Sequence, residues 1–148
     1  MSKIRNVDVT FGIENIQTLK FSYEDIPEIH ALQKETVQFN VGMITNFDVE
    51  NKKLAIDTLV DLLDTQTNIT FCEIKTRIIF HIINFEDVFK AESGKITFSN
   101  DIMANFFVIA ISTTRGILFA KTEGSPIREI FLPIINPRDF LAKRSSNE

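Results

Sequence analysis

The stretch Ala104-Asn-Phe-Phe-Val-Ile-Ala-Ile-Ser-Thr-Thr-Arg-Gly116 decides the fold, because it contains six consecutive apolar residues, Phe106 to Ile111. Ser99 or Asn100 precedes it as an N-cap candidate, and Gly124 follows it at a position typical of a helix C-terminus. The apolar run is far shorter than the roughly 18 residues that a membrane-spanning helix needs. We therefore predict one helix over residues 101–121 and no membrane insertion.

The apolar residues of this helix extend around more than one side. A surface helix normally carries a single apolar stripe that faces the core, so two faces of this helix need a cover. We expect the chain's own sheet to cover one face and a second subunit to cover the other. A helix enclosed within one larger monomeric core is the alternative. The helix positions that we predict at the subunit contact are Phe106, Phe107, Ala110, Thr113 and Gly116.

Alternating apolar and polar residues before the helix predict β-strands. The alternation is clear in residues 7–13 and 37–43, and a second strand signal follows the first at residues 19–23. Residues 69–83 are rich in β-branched and aromatic side chains, which is also typical of a strand. Strands that come first and a long helix that comes last predict an α+β fold, with helix packed on one face of an antiparallel sheet.

Three further segments have less distinct patterns. Leu54–Asp64 fits an amphipathic helix and a strand equally well, and periodicity alone does not decide between them. Residues 84–98, which include Gly94, are predicted to form a loop and a short return. After the long helix, prolines keep residues 126–137 extended, and residues 139–144 can form a short terminal helix.

The composition is that of a single domain with its own core. The 148 residues carry 16 basic and 20 acidic side chains, and the net charge of −4 argues against a nucleic-acid or anionic-membrane partner. Cys72 is the only cysteine, so no intrachain disulfide is possible, and we expect a small buried or interfacial residue in a reducing, cytoplasmic protein. The 14 phenylalanines favour an extensive core or an apolar contact surface.

The residues that enzymes use for chemistry are scattered in this sequence. His30 and His81 have no neighbouring ligand or proton-transfer partner, so we interpret them as structural. Asp57, Asp61 and Asp64 form a carboxylate cluster that we assign to a solvated strand face or a turn. Glycine-rich phosphate loops and nucleophile elbows are absent from the sequence. We therefore expect no enzyme, no metal site and no cofactor.

An ordered set of short motifs resembles the SecB family of export chaperones. Phe11–Glu24 is similar to the first strand of that family, and Phe71–Ile74 followed by Ile79–Ile82 is similar to its third strand. Leu132–Asn136 resembles the connection after the family's long helix. No single motif is specific, but their order is preserved over roughly residues 8–141.

The resemblance implies a four-stranded antiparallel sheet followed by a long helix and a short C-terminal helix. It also implies that the ambiguous Leu54–Asp64 is a strand, that Cys72, Ile74 and Thr76 lie at subunit contacts, and that the assembly is a homotetramer, a dimer of dimers. The function that follows from the family is an ATP-independent holdase, which binds unfolded preproteins and delivers them to the translocase motor SecA.

Some residues depart from the family pattern. The acidic surface with which the family docks SecA matches Lys20, Glu24, Phe71 and Glu73, and lysine replaces an acid at the first of these positions. This change of sign should weaken the docking of a basic partner segment to the two glutamates. A SecB-like chaperone dedicated to the antitoxin of a toxin–antitoxin module is therefore an alternative. A non-catalytic ligand-binding or structural oligomer is a third hypothesis.

Client binding requires apolar side chains on extended or connecting segments, where an unfolded chain can lie along the surface. The residues that meet this requirement are also candidates for the core. They are Ile26, Ile29, Leu32, Phe39, Phe47, Ile127, Phe131, Ile134 and Phe140. Binding through many weak apolar contacts would tolerate clients of different sequence, as promiscuous binders require.

Overall fold

The computed structural model describes residues 8–24, 36–125 and 136–145. Its strands come first and its long helix comes late in the chain. The strands are β1 (Phe11–Tyr23), β2 (Val37–Asp48), β3 (Lys53–Asp64), β4 (Ile69–Ile82), β5 (Lys90–Glu92) and β6 (Lys95–Thr97). The helices are α1 (Phe85–Val88), α2 (Asn100–Lys121) and α3 (Arg138–Ser145). The α+β prediction is confirmed, as are the long helix and the short terminal helix.

Four antiparallel strands form the main sheet in the order β1-β4-β3-β2, so β1 and β2 are its edges. Leu54–Asp64, the ambiguous segment, lies within the central strand β3. Its even-numbered residues from Leu54 to Leu62 are buried on the inner face of the sheet, where α2 packs. The strand alternation therefore prevails, as the resemblance implied, because both neighbouring strands satisfy the backbone of this segment.

The two strand signals near the N-terminus belong to one strand, β1. Its pairing with β4 shifts register between Ile13 and Asn15 and again between Thr18 and Lys20. A β-bulge inserts one residue and so reverses the alternation of side chains beyond it. The sequence analysis treated residues 19–23 as a separate signal because the alternation is interrupted there.

Helix α2 lies along the inner face of the sheet and runs beside β1. Near its start the ring of Phe106 is 5.0 Å from that of Phe11, and at its end the Lys121 Nζ is 5.3 Å from the ring of Phe21. Ser99 is the N-cap residue, and Gly124 has a φ of 81° beyond the C-terminus, as the sequence indicated. Among the described residues α2 alone has the length and apolar content of a membrane span, but eight of its residues are buried inside the protein.

A layer of buried threonines separates two apolar clusters beneath α2. One cluster surrounds Ile78 and Phe80, and the other surrounds Ile74 and Leu62. Between them Thr58 of β3 is paired in register with Thr76 of β4, and Thr114 of α2 lies above them. All three threonines are fully buried.

Residues 84–98 contain more regular structure than the predicted loop and return. Helix α1 is a single turn, and β5 and β6 form a hairpin whose turn has positive φ values at Ser93 and Gly94. Phe85 and Phe89 of this segment are buried in the first cluster. The apolar side chains of a segment that resembles a loop in sequence therefore close one end of the core.

Candidate functional site

Three of the nine predicted client-binding residues lie in the described part of the chain. Phe39 and Phe47 belong to β2 and Phe140 belongs to α3, and each of the three side chains is half-buried. The remaining six predictions fall outside the described residues. They are Ile26, Ile29, Leu32, Ile127, Phe131 and Ile134.

Phe39 and Phe47 belong to a row of half-buried apolar side chains on the inner face of β2. Val41 and Met43 lie between them on the same face, and we name these four residues the β2 strip. All four pack against the core clusters on one side and leave the remainder of their surface exposed. The exposure arises because α2 packs over β3 and β4, the two central strands, and not over the β2 edge.

The Phe47 ring of the β2 strip is held in place by neighbouring aromatic side chains. Phe47 lies 5.0 Å from Phe89 and 6.0 Å from Phe98, measured between ring centroids. Val41 and Met43 are not among the predicted client-binding residues, although the period-2 alternation places them on the same face as Phe39. That alternation is the signal by which they could have been found.

Phe140 is positioned by the docking of α3 onto α2. Its ring meets that of Phe107 edge-to-face at 6.2 Å, and the Arg138 guanidinium donates to the Asp101 carboxylate at the start of α2. Phe140 also packs against both core clusters, as Met43 of the β2 strip does. The C-terminal helix therefore adds a half-exposed phenylalanine to the same side of the sheet.

A second exposed apolar surface lies between β1 and α2. Phe11, Ile13 and Ile16 point to the inner face of the sheet, yet they are 39%, 47% and 45% exposed. Half-buried Ile102 and Ile109 of α2 line a cavity together with Phe11. We name these five residues the β1–α2 surface. The sequence predicts no role for Ile13 and Ile16, because only the placement of α2 reveals that they are uncovered.

A cavity of about 270 Å³ opens at the β1–α2 surface. Polar groups from Asp8 and Asn105 border it, and its remaining lining is apolar. The remaining lining residues are Val9, Phe11, Ile102, Phe106 and Ile109. The combination of exposed isoleucines with an apolar cavity gives this surface the character of a contact site for another apolar surface.

Six of the predicted subunit-contact residues are core residues of the subunit itself. Each is at most 2% exposed, because α2 covers the inner face of β4 and the sheet covers the opposing face of α2. These six residues are Cys72, Ile74, Thr76, Phe106, Phe107 and Ala110. The cover over these side chains comes from the same chain, and a subunit contact at these six positions stays a prediction.

The other two predicted subunit-contact residues remain accessible. Thr113 is half-buried, and its hydroxyl donates to the Ile109 carbonyl at 2.7 Å. Gly116 is exposed, and a Cβ placed on it would meet no atom within 4 Å. The prediction of a subunit contact at these two positions stays a prediction.

The two glutamates predicted to dock SecA have different surroundings. Glu24 is exposed just beyond β1, whereas Glu73 of β4 receives the Lys20 ammonium at 2.5 Å on the outer face of the sheet. Lys20 therefore neutralises Glu73 directly. Asp61 lies in the same electrostatic environment, where burial, followed by repulsion from Glu73, raises the pKa of its carboxyl group.

Two members of the aspartate cluster are buried: Asp57 contradicts the predicted solvated strand face, whereas Asp64 lies at a turn, the alternative prediction. Asp57 receives both Arg77 Nε at 2.7 Å and Arg77 Nη2 at 2.9 Å, so the guanidinium of the neighbouring strand shields the carboxylate from water. Asp64 accepts hydrogen bonds from the Gln66 amide and the Thr67 hydroxyl in the β3–β4 turn. The three aspartates therefore have different surroundings: Asp57 is in an ion pair, Asp64 is in a turn, and Asp61 is half-buried.

The remaining reactive side chains are poorly placed for chemistry. Burial raises the pKa of the Cys72 thiol to about 12, with smaller contributions from Asp61 and Glu73, so the nucleophilic thiolate is scarce near neutral pH. His81 is exposed on β4, and His30 lies outside the described residues. Within residues 8–24, 36–125 and 136–145, no three or more His, Cys, Asp or Glu side chains are grouped to hold a metal ion.

Comparison with known proteins gives likenesses of structure only. No protein-family model and no curated protein sequence matches this chain. Among solved structures, the chain is similar to the SecB-like chaperone Rv1957 of Mycobacterium tuberculosis, solved in complex with a ChAD peptide from the Rv1956 HigA1 antitoxin. The TM-score is 0.50 at 10% identity, over 84% of this chain and 89% of that one.

A protein of unknown function from Streptococcus agalactiae gives a TM-score of 0.40 at 15% identity, over 79% of this chain and 90% of that one. The likeness to Rv1957 covers most of both chains. The chain therefore has a SecB-like α+β fold, with a four-stranded antiparallel sheet followed by a long helix and a short helix.

Proposed function

We propose that this protein is a chaperone that acts as an ATP-independent holdase by binding unfolded polypeptide segments. The observation that carries the proposal is the β2 strip, in which four large apolar side chains remain half-exposed along one edge strand. The fold supports it, because the similar structure of Rv1957 is a SecB-like chaperone that holds an antitoxin peptide.

The β2 strip suits clients of varied sequence. Burial of its exposed apolar area stabilises a complex by about 25 cal/mol per Å², whichever apolar side chain supplies the opposing surface. Phe47 is already fixed by Phe89 and Phe98, so a client loses little free energy to the ordering of this ring. A rigid apolar surface with few fixed polar contacts is therefore compatible with holdase activity.

A chaperone dedicated to one antitoxin is the second candidate, and the ion pair between Lys20 and Glu73 favours it. Of the two glutamates matched to the SecA-docking surface, Glu73 is neutralised by Lys20. A basic segment of a motor protein would therefore meet a weaker field at this face than at a cluster of free carboxylates. General export remains the first proposal, with unfolded preproteins as its clients, and antitoxin protection is the alternative.

We also propose that the chain assembles into a homo-oligomer, a tetramer by the family resemblance, through the β1–α2 surface. Ile13 and Ile16 expose nearly half of their area, and Gly116 allows close approach of another helix to α2. With a buried, reduced Cys72, we infer that the assembly acts in the cytoplasm.

The holdase proposal is tested by light scattering from an unrelated denatured protein that aggregates on dilution. The protein should suppress the scattering, and Phe39→Ser should weaken suppression by removing part of the β2 strip. Ile83→Ser is the matched control, because Ile83 is 59% exposed just beyond β4 and outside the strip. No suppression at chaperone excess would reject the proposal, as would equal losses in the two variants.

A pull-down from the native host separates the two candidate roles. Varied preproteins together with SecA would support export, and recovery of a single antitoxin would support the dedicated role. Recovery of neither class, together with no suppression of aggregation, would leave a structural oligomer as the better account of the fold.

A further inference from the structure

The outer edge of β2 is accessible to another strand. β2 is the last strand in the order β1-β4-β3-β2, and within the described residues no strand pairs with its outer side. An edge strand presents a row of N–H and C=O groups that another extended chain can pair with. At 12 residues, β2 offers this row over a considerable length.

The direction of the first ladder bond shows which residues face the open edge. The Thr65 amide donates to the Thr36 carbonyl at 2.9 Å, so this pair is of the hydrogen-bonded type. Hydrogen-bonded and non-hydrogen-bonded pairs alternate along an antiparallel ladder, and β2 and β3 pair without a register shift. The odd-numbered residues Phe39, Val41 and Met43 therefore direct their N–H and C=O groups outward. These residues also belong to the β2 strip.

β2 lacks the features with which edge strands usually prevent such pairing. Bulges, prolines and charged side chains, especially lysine, are the common protection. β2 contains no bulge and no proline, and its one charged residue is Asp48 at its end. The other edge strand, β1, is interrupted by two register shifts and carries Glu14 and Lys20. Of the two edges, β2 is the one that a regular extended chain can extend.

The charge at the end of β2 selects the kind of partner. Asp48 is exposed, and hydrogen bonds from Asn51 lower the pKa of its carboxyl group, so it stays ionised. β2 carries no basic side chain, and the whole chain has a net charge of −4. An extended segment with alternating apolar residues and a basic residue at one end would complement both the strip and the carboxylate.

We propose that client segments of this chemistry bind as an additional β-strand along the outer edge of β2. This inference rests on the proposed chaperone function and specifies how its clients are held. The client backbone pairs with the outward N–H and C=O groups of Phe39, Val41 and Met43, its apolar side chains pack on the β2 strip, and its basic residue pairs with Asp48. Main-chain hydrogen bonds supply affinity that is independent of client sequence.

The test uses the full-length protein and a synthetic peptide of about 12 residues that alternates valine and threonine and ends in lysine. Val41→Pro removes an outward N–H while the hydrogen bonds to β3 remain, because proline is tolerated where the amide of an edge strand faces solvent. Val41→Ala is the matched control, which shortens the side chain and keeps the N–H. We expect Val41→Pro to weaken peptide binding about tenfold more than Val41→Ala does, since a main-chain bond is lost and the ring obstructs the edge.

Amide hydrogen exchange of the unmodified protein provides a second measurement, which does not depend on the folding of the proline variant. Saturating peptide should slow exchange at the amides of Val41 and Met43 and leave the β1 amides unchanged. Equal peptide binding by the two Val41 variants, or unchanged exchange at β2, would overturn the inference. If the protein still suppresses aggregation in that case, the proposed chaperone function stands. Protection of β2 amides that rises with protein concentration alone would identify a second copy as the occupant and would also overturn it. Failure of both peptide binding and aggregation suppression would reject the proposed function itself.

Discussion

The hydroxyl groups of Thr76 and Thr114 form a fully buried hydrogen bond of 2.7 Å that joins the central strand β4 to helix α2. The Thr114 hydroxyl donates to the Ala110 carbonyl at 2.8 Å, so its oxygen accepts the hydrogen of Thr76. Apolar contacts between a helix and a sheet are not directional, whereas a hydrogen bond forms only when its donor and acceptor lie within a narrow range of distance and angle. It therefore fixes where α2 lies along the sheet, and with it which apolar residues remain exposed.

Replacing Thr76 with valine should lower the free energy of unfolding by about 1–2 kcal/mol, because the Thr114 oxygen loses its buried donor. Thr58→Val is the matched control, since Thr58 is paired in register with Thr76 and equally buried. Among the described residues the Thr58 hydroxyl has no hydrogen-bond partner, so its loss should be neutral or slightly stabilising. Urea denaturation measures the free energy of unfolding of both variants. Equal destabilisation by the two substitutions would contradict the assigned role of the Thr76 bond.

The ion pair between Asp57 and Arg77 should contribute more to stability than the pairs around it. Arg77→Ala removes two charge-assisted hydrogen bonds from the Asp57 carboxylate and uncovers it to water, so we expect a loss of about 1–3 kcal/mol in the free energy of unfolding. Lys53→Ala breaks the exposed pair with Glu14 on the same face of the sheet and should cost less than about 1 kcal/mol. Thermal or urea unfolding compares the two variants, and a Lys53→Ala loss as large as that of Arg77→Ala would refute the ranking.

The sequence patterns predicted the order and kind of the main elements except β3, which only the family resemblance assigned to a strand. Helix α2 was predicted to within one residue of each end, since its apolar segment lies between N-cap candidates, Ser99 or Asn100, and the C-terminal signal of Gly124. The bulges of β1 were not predicted, because a bulge depends on how two strands pair and leaves no distinct residue pattern in one of them.

The role of individual apolar residues was harder to predict than the fold. Ile74 and Ile16 both occupy apolar strand positions, but the first is 2% exposed and the second is 45% exposed. The difference arises from the placement of α2 across the sheet, which is a tertiary property. The sequence alone therefore does not distinguish the buried position of Ile74 from the exposed position of Ile16.

Cys72 should resist alkylation in the folded protein. Burial raises the pKa of its thiol from 9.0 to about 12, so both the thiolate fraction and access to the reagent are low near neutral pH. Labelling with iodoacetamide at pH 8 should therefore be slow in buffer and fast in denaturing urea. Rapid labelling of the native protein would show that the second core cluster opens readily.

The same thiol makes stability depend on alkaline pH. Because the folded state holds this proton more tightly than the unfolded state, its contribution is fully present below pH 9.0 and is lost as pH rises towards 12. A Cys72→Ala variant should lack this part of the pH dependence, even though the smaller side chain lowers stability throughout. An identical alkaline profile in both proteins would show that Cys72 does not contribute to it.

The β1–α2 surface should control the oligomeric state. Ile16→Lys introduces a charge at a side chain that is 45% exposed and lies on the face towards α2, so the folded subunit tolerates it while an apolar contact with another subunit does not. We expect light scattering to show a mass that is a multiple of 16.9 kDa for the unmodified protein and a shift towards the single-chain mass for the variant. Val49→Lys is the matched control, because Val49 is 44% exposed in the β2–β3 turn, away from this surface. Two results would show that the exposed isoleucines of β1 do not form the subunit contact. One is an unmodified protein that is monomeric at high concentration, and the other is a Val49→Lys variant that dissociates as Ile16→Lys does.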